Sequence, residues 1–324
     1  MTSYRQSGVD LEAADRHIDA IAATVTDTWK TDVLGSFGGF AAGVRLPAGF
    51  ADPVLMMSTD GVGTKLEIAR RADRWDGVGF DLVAMCVDDL AAAGAQPLGF
   101  VDYLAVGSLR TTRDRAIVES VAAACIEAGC PLLGGETAEH PGVMDADGID
   151  LAGAVMGVVE SDQVLDPARV ERGDVVIGLR SPNVRSNGFS LIRALMGNEI
   201  IEHAETLLQP SVIYSPAVLA AAATGGVHSA AHVTGGGLAA NLARSIPDGL
   251  GAEIDAKAWD RPDVFGMITE RGVTEEEMRR TFNLGIGFCL VVDPDAEAEV
   301  SGAVSQHMPR TIGTVTDRDD VILR

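Results

Sequence analysis

Ser58-Thr-Asp-Gly-Val-Gly-Thr-Lys-Leu66 is the stretch around which the chain is organised. Ahead of it, Val54, Leu55, Met56 and Met57 read as a buried strand, and behind it a new segment opens. Gly61 and Gly63 free the backbone to turn tightly and let a ligand approach main-chain N–H groups. Asp60 and Lys65 place a carboxylate and an ammonium five residues apart. A carboxylate suits Mg2+, and lysine meets phosphate as a point charge. Together they point to a nucleotide. The plainer reading of Asp-Gly is an ordinary turn. A Walker A loop is not an alternative, because the four residues it needs between its first Gly and Gly-Lys are missing.

A chain of 324 residues with 47% hydrophobic content has room for two packed domains. No apolar run is long enough to cross a bilayer, and Arg5, Asp10, Glu12 and Asp15 stand where a signal peptide would be apolar. The expectation is a cytoplasmic protein that neither spans a membrane nor is exported. Cys86, Cys125, Cys130 and Cys289 lack Cys-x-x-Cys spacing and lie in apolar surroundings, as reduced core residues do. The net charge of −22 repels nucleic acid. It also opposes anionic metabolites, so a nucleotide site needs Mg2+ and well-placed cations to invert the local field. Lys30, Lys65 and Lys257 are the only lysines, which singles out the one that follows Gly-Val-Gly-Thr.

Taken in order, Asp10 caps a helix carrying Leu11, Ala14, Ile18, Ile21 and Val25 at helical spacing. The glycine-rich Gly35-Ser-Phe-Gly-Gly-Phe-Ala-Ala-Gly43 reads either as a mobile loop or as a lid over a phosphate chain, with Gly38 and Gly39 at its centre. Residues 77–95 form a helix. Spacing of seven puts Asp81 and Asp88 on one face, readable as its solvated side. Asp89 falls on the apolar stripe with Leu82 and Met85, so it needs a cation or the edge of a cleft. A strand over Leu98 to Val106 carries Asp102, and a helix from Thr111 to Ala128 follows. In Cys130-Pro-Leu-Leu-Gly-Gly-Glu-Thr137 a strand ends in two glycines and an oxygen-rich pair, which makes Glu136 a metal candidate unless the motif is a simple turn. A further strand covers Leu151 to Val159.

Residues 160–174, polar and containing Pro167 and Gly173, mark the boundary between domains at 1–165 and 166–324. A strand from Val175 to Leu179 leads to Arg185 and Ser186-Asn-Gly-Phe-Ser-Leu-Ile192, a helix start that either binds an anion or is ordinarily capped. The pattern recurs at Ala231-His-Val-Thr-Gly-Gly-Gly237, ahead of a helix over Leu238 to Ile246. Thr281-Phe-Asn-Leu-Gly-Ile-Gly287 then leads into the strand Phe288 to Val292. The six histidines form no metal signature, and His232 alone reads more readily as a satisfied core residue than as a catalyst. No Gly-x-Ser-x-Gly elbow is present.

Together STDGVGTKL (58–66), DLVAMCVDDL (81–90), LLGGETAEHPG (132–142), RSNGFSLIR (185–193), AHVTGGG (231–237) and TFNLGIG (281–287) resemble the phosphoribosylformylglycinamidine cyclo-ligase, or aminoimidazole ribonucleotide synthetase, family. Tyr4-x-x-Ser-Gly-Val-Asp10 is similar too, with Ser7 where the family usually has Ala. The resemblance runs from about residue 4 to the C-terminus in the family's order. It implies a two-domain α/β fold with mixed sheets, in which the N-terminal domains pair and their strands form a barrel at a homodimer interface. The C-terminal α/β domain completes the substrate site. It also implies ATP and Mg2+ as cofactors, and formylglycinamidine ribonucleotide as substrate: phosphoryl transfer activates the amide oxygen, and an amidine nitrogen then displaces phosphate to close the imidazole ring.

Carried onto this sequence, the resemblance gives catalytic roles to Lys65, Asp60 and His232, and metal binding to Asp60, Asp89 and Glu136. It puts ATP against Gly38, Gly39, Thr59, Gly61, Gly63, Thr64, Lys65, Gly135 and Thr137, and the second substrate against Arg185, Ser186, Asn187, Gly188, Thr234, Gly235 and Gly236. The segment Asp89 to Ala92 is also similar to thiamine-monophosphate kinase, where the matching Asp helps hold metal; this favours Asp89 over Asp88. Two departures stand out: Asp88 where the family commonly has Asn, and Arg185 where it often has His. Arginine does not deprotonate and so is a poor general base. Two other functions share the ATP half, a small-molecule kinase of the same superfamily and a non-catalytic nucleotide-binding paralogue. Retention of Asp60, Lys65, Asp89 and Glu136 argues against the paralogue.

Overall fold

The computed structural model describes residues 11–30 and 32–324. The cap expected at Asp10 and the Tyr4–Asp10 motif lie outside them. Helix α1 (Leu11–Thr26) follows the expected spacing, and its Val25 is buried. Two short strands, β1 (Val33–Leu34) and β2 (Gly43–Val44), pair antiparallel and close the base of the glycine-rich loop. Next come β3 (Pro53–Gly61), α2 (Lys65–Ala72), α3 (Val78–Ala92), β4 (Gln96–Val106), α4 (Thr111–Glu127), β5 (Leu132–Glu139) and β6 (Ile149–Glu160).

These strands form one open mixed sheet in the order β3-β6-β4-β5, with β4 and β5 parallel and the other pairs antiparallel. α3 packs on β3, β6 and β4 and against α4. The two helices meet at Gly79, where a Cβ would stand 2.1 Å from the backbone N of Val121. Among the described residues, much of the sheet's other face is left uncovered. The expectation of a buried strand at Val54 to Met57 is corrected here: β3 alternates, leaving Leu55 58% and Met57 74% exposed. Val101 and Tyr103 of β4 are exposed as well. They share that face, because Leu55 and Met57 pair with Val158 and Met156, while Val101 and Tyr103 pair with Ala154 and Ala152 on the same side of β6. The sheet of one chain does not close into a barrel.

Two 3-10 turns, Ser161–Gln163 and Pro167–Arg169, lead into the second half. There follow β7 (Val175–Arg180), α5 (Phe189–Met196), α6 (Ala204–Leu207), α7 (Ser215–Ala222), β8 (Val227–His232), α8 (Gly237–Ala243), β9 (Gly251–Ile254), α9 (Asp263–Thr269), α10 (Glu275–Thr281), β10 (Ile286–Val292), α11 (Glu297–Ala303), β11 (Arg310–Thr316) and β12 (Val321–Leu323). The sheet order is β12-β9-β11-β7-β10-β8, antiparallel except for β12 beside β9. β10 is apolar at every position because both its faces are covered. Phe288, Leu290 and Val292 pack with α7 and α11, while Cys289 and Val291 pack with Leu238 and Leu242 of α8. One core joins the halves: Phe189, Ile192, Phe265 and Phe282 pack in the same cluster as Leu66, Leu82 and Met85. All four cysteines are free and buried, and burial raises each thiol well above its ordinary range. No helix among the described residues is long and apolar enough to cross a membrane.

Candidate functional site

β3 carries Asp60 to its C-terminal end, and the chain then turns through Gly63, in the left-handed region at φ 68°, before α2 begins at Lys65. Thr64 Oγ1 lies 3.1 Å from Ser190 Oγ at the start of α5, so the glycine turn of the first half abuts the Ser-Asn-Gly turn of the second. α3 brings Asp89 alongside. Its Oδ2 accepts a hydrogen bond from Ser58 Oγ at 3.2 Å, and its Oδ1 lies 2.9 Å from His232 Nδ1 at the end of β8. Asp60 and Asp89 feel each other's charge. Burial holds the Asp60 carboxyl above its ordinary range, against the Gly61 N–H, and the Asp89 charge adds to the rise. Burial pushes Asp89 upward too, but the hydrogen bonds from His232 and Ser58 outweigh it and leave that carboxyl below its ordinary range.

The reading of Asp81 and Asp88 as the solvated side of α3 is overturned, whereas Asp89 stands at the edge of a cleft, one of the two placements expected for it. Asp81 and Asp88 are fully buried, while the Asp89 side chain is 44% exposed. α3 is covered by the second half of the chain as well as by the sheet, which is why its Asp81/Asp88 face is not solvated. Asp81 is held by Ser211 N and Oγ and by Lys65. Asp88 Oδ1 accepts from the backbone N–H groups of Tyr214 and Ser215 at the start of α7, at 2.8 and 2.9 Å.

Lys65, expected at the nucleotide phosphates, is turned inward in this structure. Its side chain is buried and its ammonium forms a salt bridge with Asp81 Oδ2 at 2.7 Å. It also donates to the carbonyls of Arg185 and Gln209 at 3.2 and 2.9 Å. An ammonium has three donors, and protein acceptors occupy them all. Burial pulls Lys65 below its ordinary range, opposed by Asp81, and pushes Asp81 above its own, opposed by Lys65. In this geometry Lys65 joins the two halves of the chain instead of meeting a phosphate.

Arg185, expected on the phosphate of the second substrate, is also fully buried. At φ 63° it donates from Nη1 to Val212 O at 3.0 Å and from Nη2 to Asp88 Oδ2 and His232 Nε2, both at 2.9 Å. Its guanidinium lies over the Tyr214 ring, 4.9 Å from the centroid. The neighbouring turn residues keep their place at the junction. Ser186 Oγ is buried without a partner, Asn187 lies against Gly235, and Gly188 leaves no room for a Cβ beside Phe282. Thr234, Gly235 and Gly236 form the facing loop, braced by Asn241 Nδ2, which donates to the carbonyls of Thr234, Gly235 and Gly237.

Glu136 does not join Asp60 and Asp89 within one chain. Strand register aligns Asp60, Gly153, Asp102 and Gly135 across the sheet, while Glu136 pairs with Tyr103 on the opposite face. The backbones of Asp60 and Glu136 are thus three strand spacings apart, about 14 Å, with their side chains on opposite faces. Among the described residues no group of three or more His, Cys, Asp or Glu side chains could hold a metal. What remains is the Asp60–Asp89 pair with Ser58, a hard oxygen set. Mg2+ needs no more than one or two carboxylates when phosphates and water complete its shell.

A cavity of about 480 Å3 lies on the other side of the sheet's edge, between α1, the glycine-rich loop and the strands β4 and β5. Gly38, Gly39, Gly135, Glu136 and Thr137 line it, so the loop covers the middle of β5, where the Gly-Gly-Glu-Thr motif lies within the strand and not at the strand end that the sequence suggested. Its volume is that of a small-molecule pocket. Sequence reasoning passed over two titratable residues in its wall. Burial pushes the Asp102 carboxyl up to about 7. Gly135 is what makes room for it, since a Cβ there would stand 2.0 Å from Asp102 Oδ1. His17, 3.4 Å from Thr137 Oγ1, is held below its ordinary range by burial. A lone carboxylate in the apolar run Leu98 to Val106 was the available signal for Asp102; nothing in the sequence marked His17.

Residues 41–159 match the family model described as AIR synthase related protein, N-terminal domain, and residues 171–324 match its C-terminal counterpart. The phosphoribosylformylglycinamidine cyclo-ligase of Anaeromyxobacter sp. (strain K) is 44% identical over 315 residues, covering 93% of this chain and 91% of that protein. That of Synechococcus sp. (strain CC9605) is 43% identical over 328 residues, covering 97% and 95%. Among solved structures, thiamine-monophosphate kinase from Stenotrophomonas maltophilia K279a superposes with a TM-score of 0.70 at 21% identity, over 94% of this chain and 95% of that one. HypE of E. coli, a hydrogenase maturation protein, superposes with a TM-score of 0.67 at 18% identity, over 94% and 92%. These two likenesses show a shared fold. The relatives that match over nearly their whole length decide the family, and the chain belongs to the phosphoribosylformylglycinamidine cyclo-ligase family.

Proposed function

We propose that this chain closes the imidazole ring of 5-aminoimidazole ribonucleotide from formylglycinamidine ribonucleotide, with ATP converted to ADP and phosphate. The observation that carries the reading is the meeting of the two glycine turns at Thr64 and Ser190, beside the Asp60–Asp89 pair. A reaction between two phosphorylated substrates needs two anion-binding turns that face one another. In the first step the amide oxygen attacks the γ-phosphorus and the bond to ADP breaks. In the second an amidine nitrogen attacks the same carbon, the C–O bond breaks, phosphate leaves and the nitrogen sheds its proton. Such chemistry depends on alignment and on charge stabilisation.

Asp60 and Asp89 are the residues that fit Mg2+, which when bound would neutralise charge on the triphosphate. The backbone N–H groups around Gly61 and Gly63, together with Thr59 and Thr64, line the phosphate side of the cleft. The covered cavity beside Gly38, Gly39, Gly135 and Thr137 suits the remainder of the nucleotide. Ser186, Asn187, Gly188 and the Thr234–Gly236 loop face the second substrate. The bare apolar face with Leu55, Met57, Val101 and Tyr103 is assigned to pairing with a second copy, which would join two open sheets and bring each Glu136 to the interface. Work on phosphorylated intermediates, with four reduced cysteines, belongs in the cytoplasm.

The test is incubation with ATP, Mg2+ and formylglycinamidine ribonucleotide. Aminoimidazole product is expected from the wild type, with a loss of at least about a hundredfold in Asp60→Asn and Asp89→Asn, the scale on which removing one electrostatic stabiliser acts. ATP turnover on a different acceptor, without ring closure, would instead favour a kinase.

A further inference from the structure

His232 sits between one side chain that can only donate and another that accepts. Arg185 Nη2 lies 2.9 Å from Nε2, and Asp89 Oδ1 lies 2.9 Å from Nδ1. A guanidinium has no acceptor and keeps its protons, so Nε2 must offer its lone pair. A neutral imidazole that accepts at Nε2 carries its proton on Nδ1, and that N–H points at Asp89. The ring has little freedom to do otherwise: its side chain is 2% exposed and it stacks on Phe288 with 6.0 Å between centroids. Arg185 is itself fixed by Asp88, by Val212 O and by the Tyr214 ring. Asp88 is in turn anchored by two backbone N–H groups.

We propose that Arg185 and His232 are positioning residues for Asp89: the guanidinium fixes the imidazole as its Nδ1–H tautomer, and that N–H orients the carboxylate in the cleft beside Asp60. The proposal rests on the reading that Asp60 and Asp89 hold the cation of the nucleotide. It places His232 behind the cation, with its one lone pair already engaged, and so removes it from the candidates for a general base. A ligand carboxylate whose orientation is locked from behind resembles the outer-shell support that tunes metal sites generally. It also explains why a guanidinium is buried here at all, at a place where it touches no surface.

The first measurement needs no variant. In 15N-histidine-labelled protein, long-range 1H–15N correlation spectra, with His232 assigned by its loss in His232→Asn, should show a protonated Nδ1 and an unprotonated Nε2. A proton on Nε2, in either a neutral or a doubly protonated ring, overturns the proposal. The second measurement is Mn2+ binding by electron paramagnetic resonance in the presence of a non-hydrolysable ATP analogue. His232→Leu should weaken Mn2+ about tenfold, or about 1.4 kcal/mol. His232→Asn, whose amide N–H stands near the position of Nδ1, should recover most of that loss. Equal weakening by Leu and Asn, or by neither, refutes the orienting role. Asp89→Asn separates the two levels. If it binds Mn2+ as the wild type does, the cation reading fails and the inference with it; if it weakens binding while His232→Leu does not, the inference alone fails.

Discussion

Asp88 and Arg185, two positions where the resemblance leads one to expect Asn and His, are each other's partners: Nη2 and Oδ2 lie 2.9 Å apart with both side chains fully excluded from solvent. Each substitution alone would bury an uncompensated charge. Together they form an ion pair braced by α7 and by the His232 ring. Breaking a buried pair from one side costs about 3–5 kcal/mol, whereas replacing both members is often nearly neutral. Urea unfolding should therefore show large losses for Asp88→Asn and for Arg185→His and a far smaller loss for the double variant. Additive losses would mean that the two residues do not act as a unit.

Lys65 should behave as a structural cation. Lys65→Met leaves Asp81 buried without its ammonium and should cost about 3–5 kcal/mol. In the fraction that stays folded, nucleotide affinity should remain within about threefold of the wild type, since a direct charged contact would carry one to two powers of ten. Intact stability with lost affinity would restore the phosphate contact expected from the Gly-Thr-Lys spacing.

Asp102 gives a pH signature of definite sign. Its carboxyl titrates at about 7 in the folded protein, against about 3.9 in an unfolded chain. Between those values the folded state holds the extra proton, so this group makes stability fall as pH rises, reaching up to about 4 kcal/mol above pH 7. Asp102→Asn should flatten that slope between pH 4 and 7 and raise stability at pH 8. Parallel stability curves for the two proteins would show that the carboxylate is solvated and unperturbed.

The bare face of the first sheet predicts self-association. Replacing Leu55 and Met57, which stand 58% and 74% exposed, by glutamate should convert a dimer into monomers in light scattering at unchanged far-ultraviolet circular dichroism. A large contiguous apolar face on a monomer is unusual. Unchanged mass in the double variant would move the interface elsewhere.

The sequence by itself determined the local elements. Helical spacing marks α1 and α3, apolar runs mark β4, β6, β7 and β10, and glycine turns follow β3 and β8, because each of these signals is set by residues adjacent in the chain; Gly134 and Gly135, which read as a strand end, lie inside β5. The order of motifs also fixed the family. Tertiary structure alone decided which carboxylates are buried. Asp81, Asp88 and Asp89 lie within one helix, and only packing against the second half of the chain buries the first two while exposing the third. For the same reason Lys65 and Arg185, read locally as phosphate cations, turned inward to partners 16 and 97 residues away. Glycine spacing reports how a backbone can turn, but the fate of a charge depends on what folds over it, and that is settled by segments the local pattern does not contain.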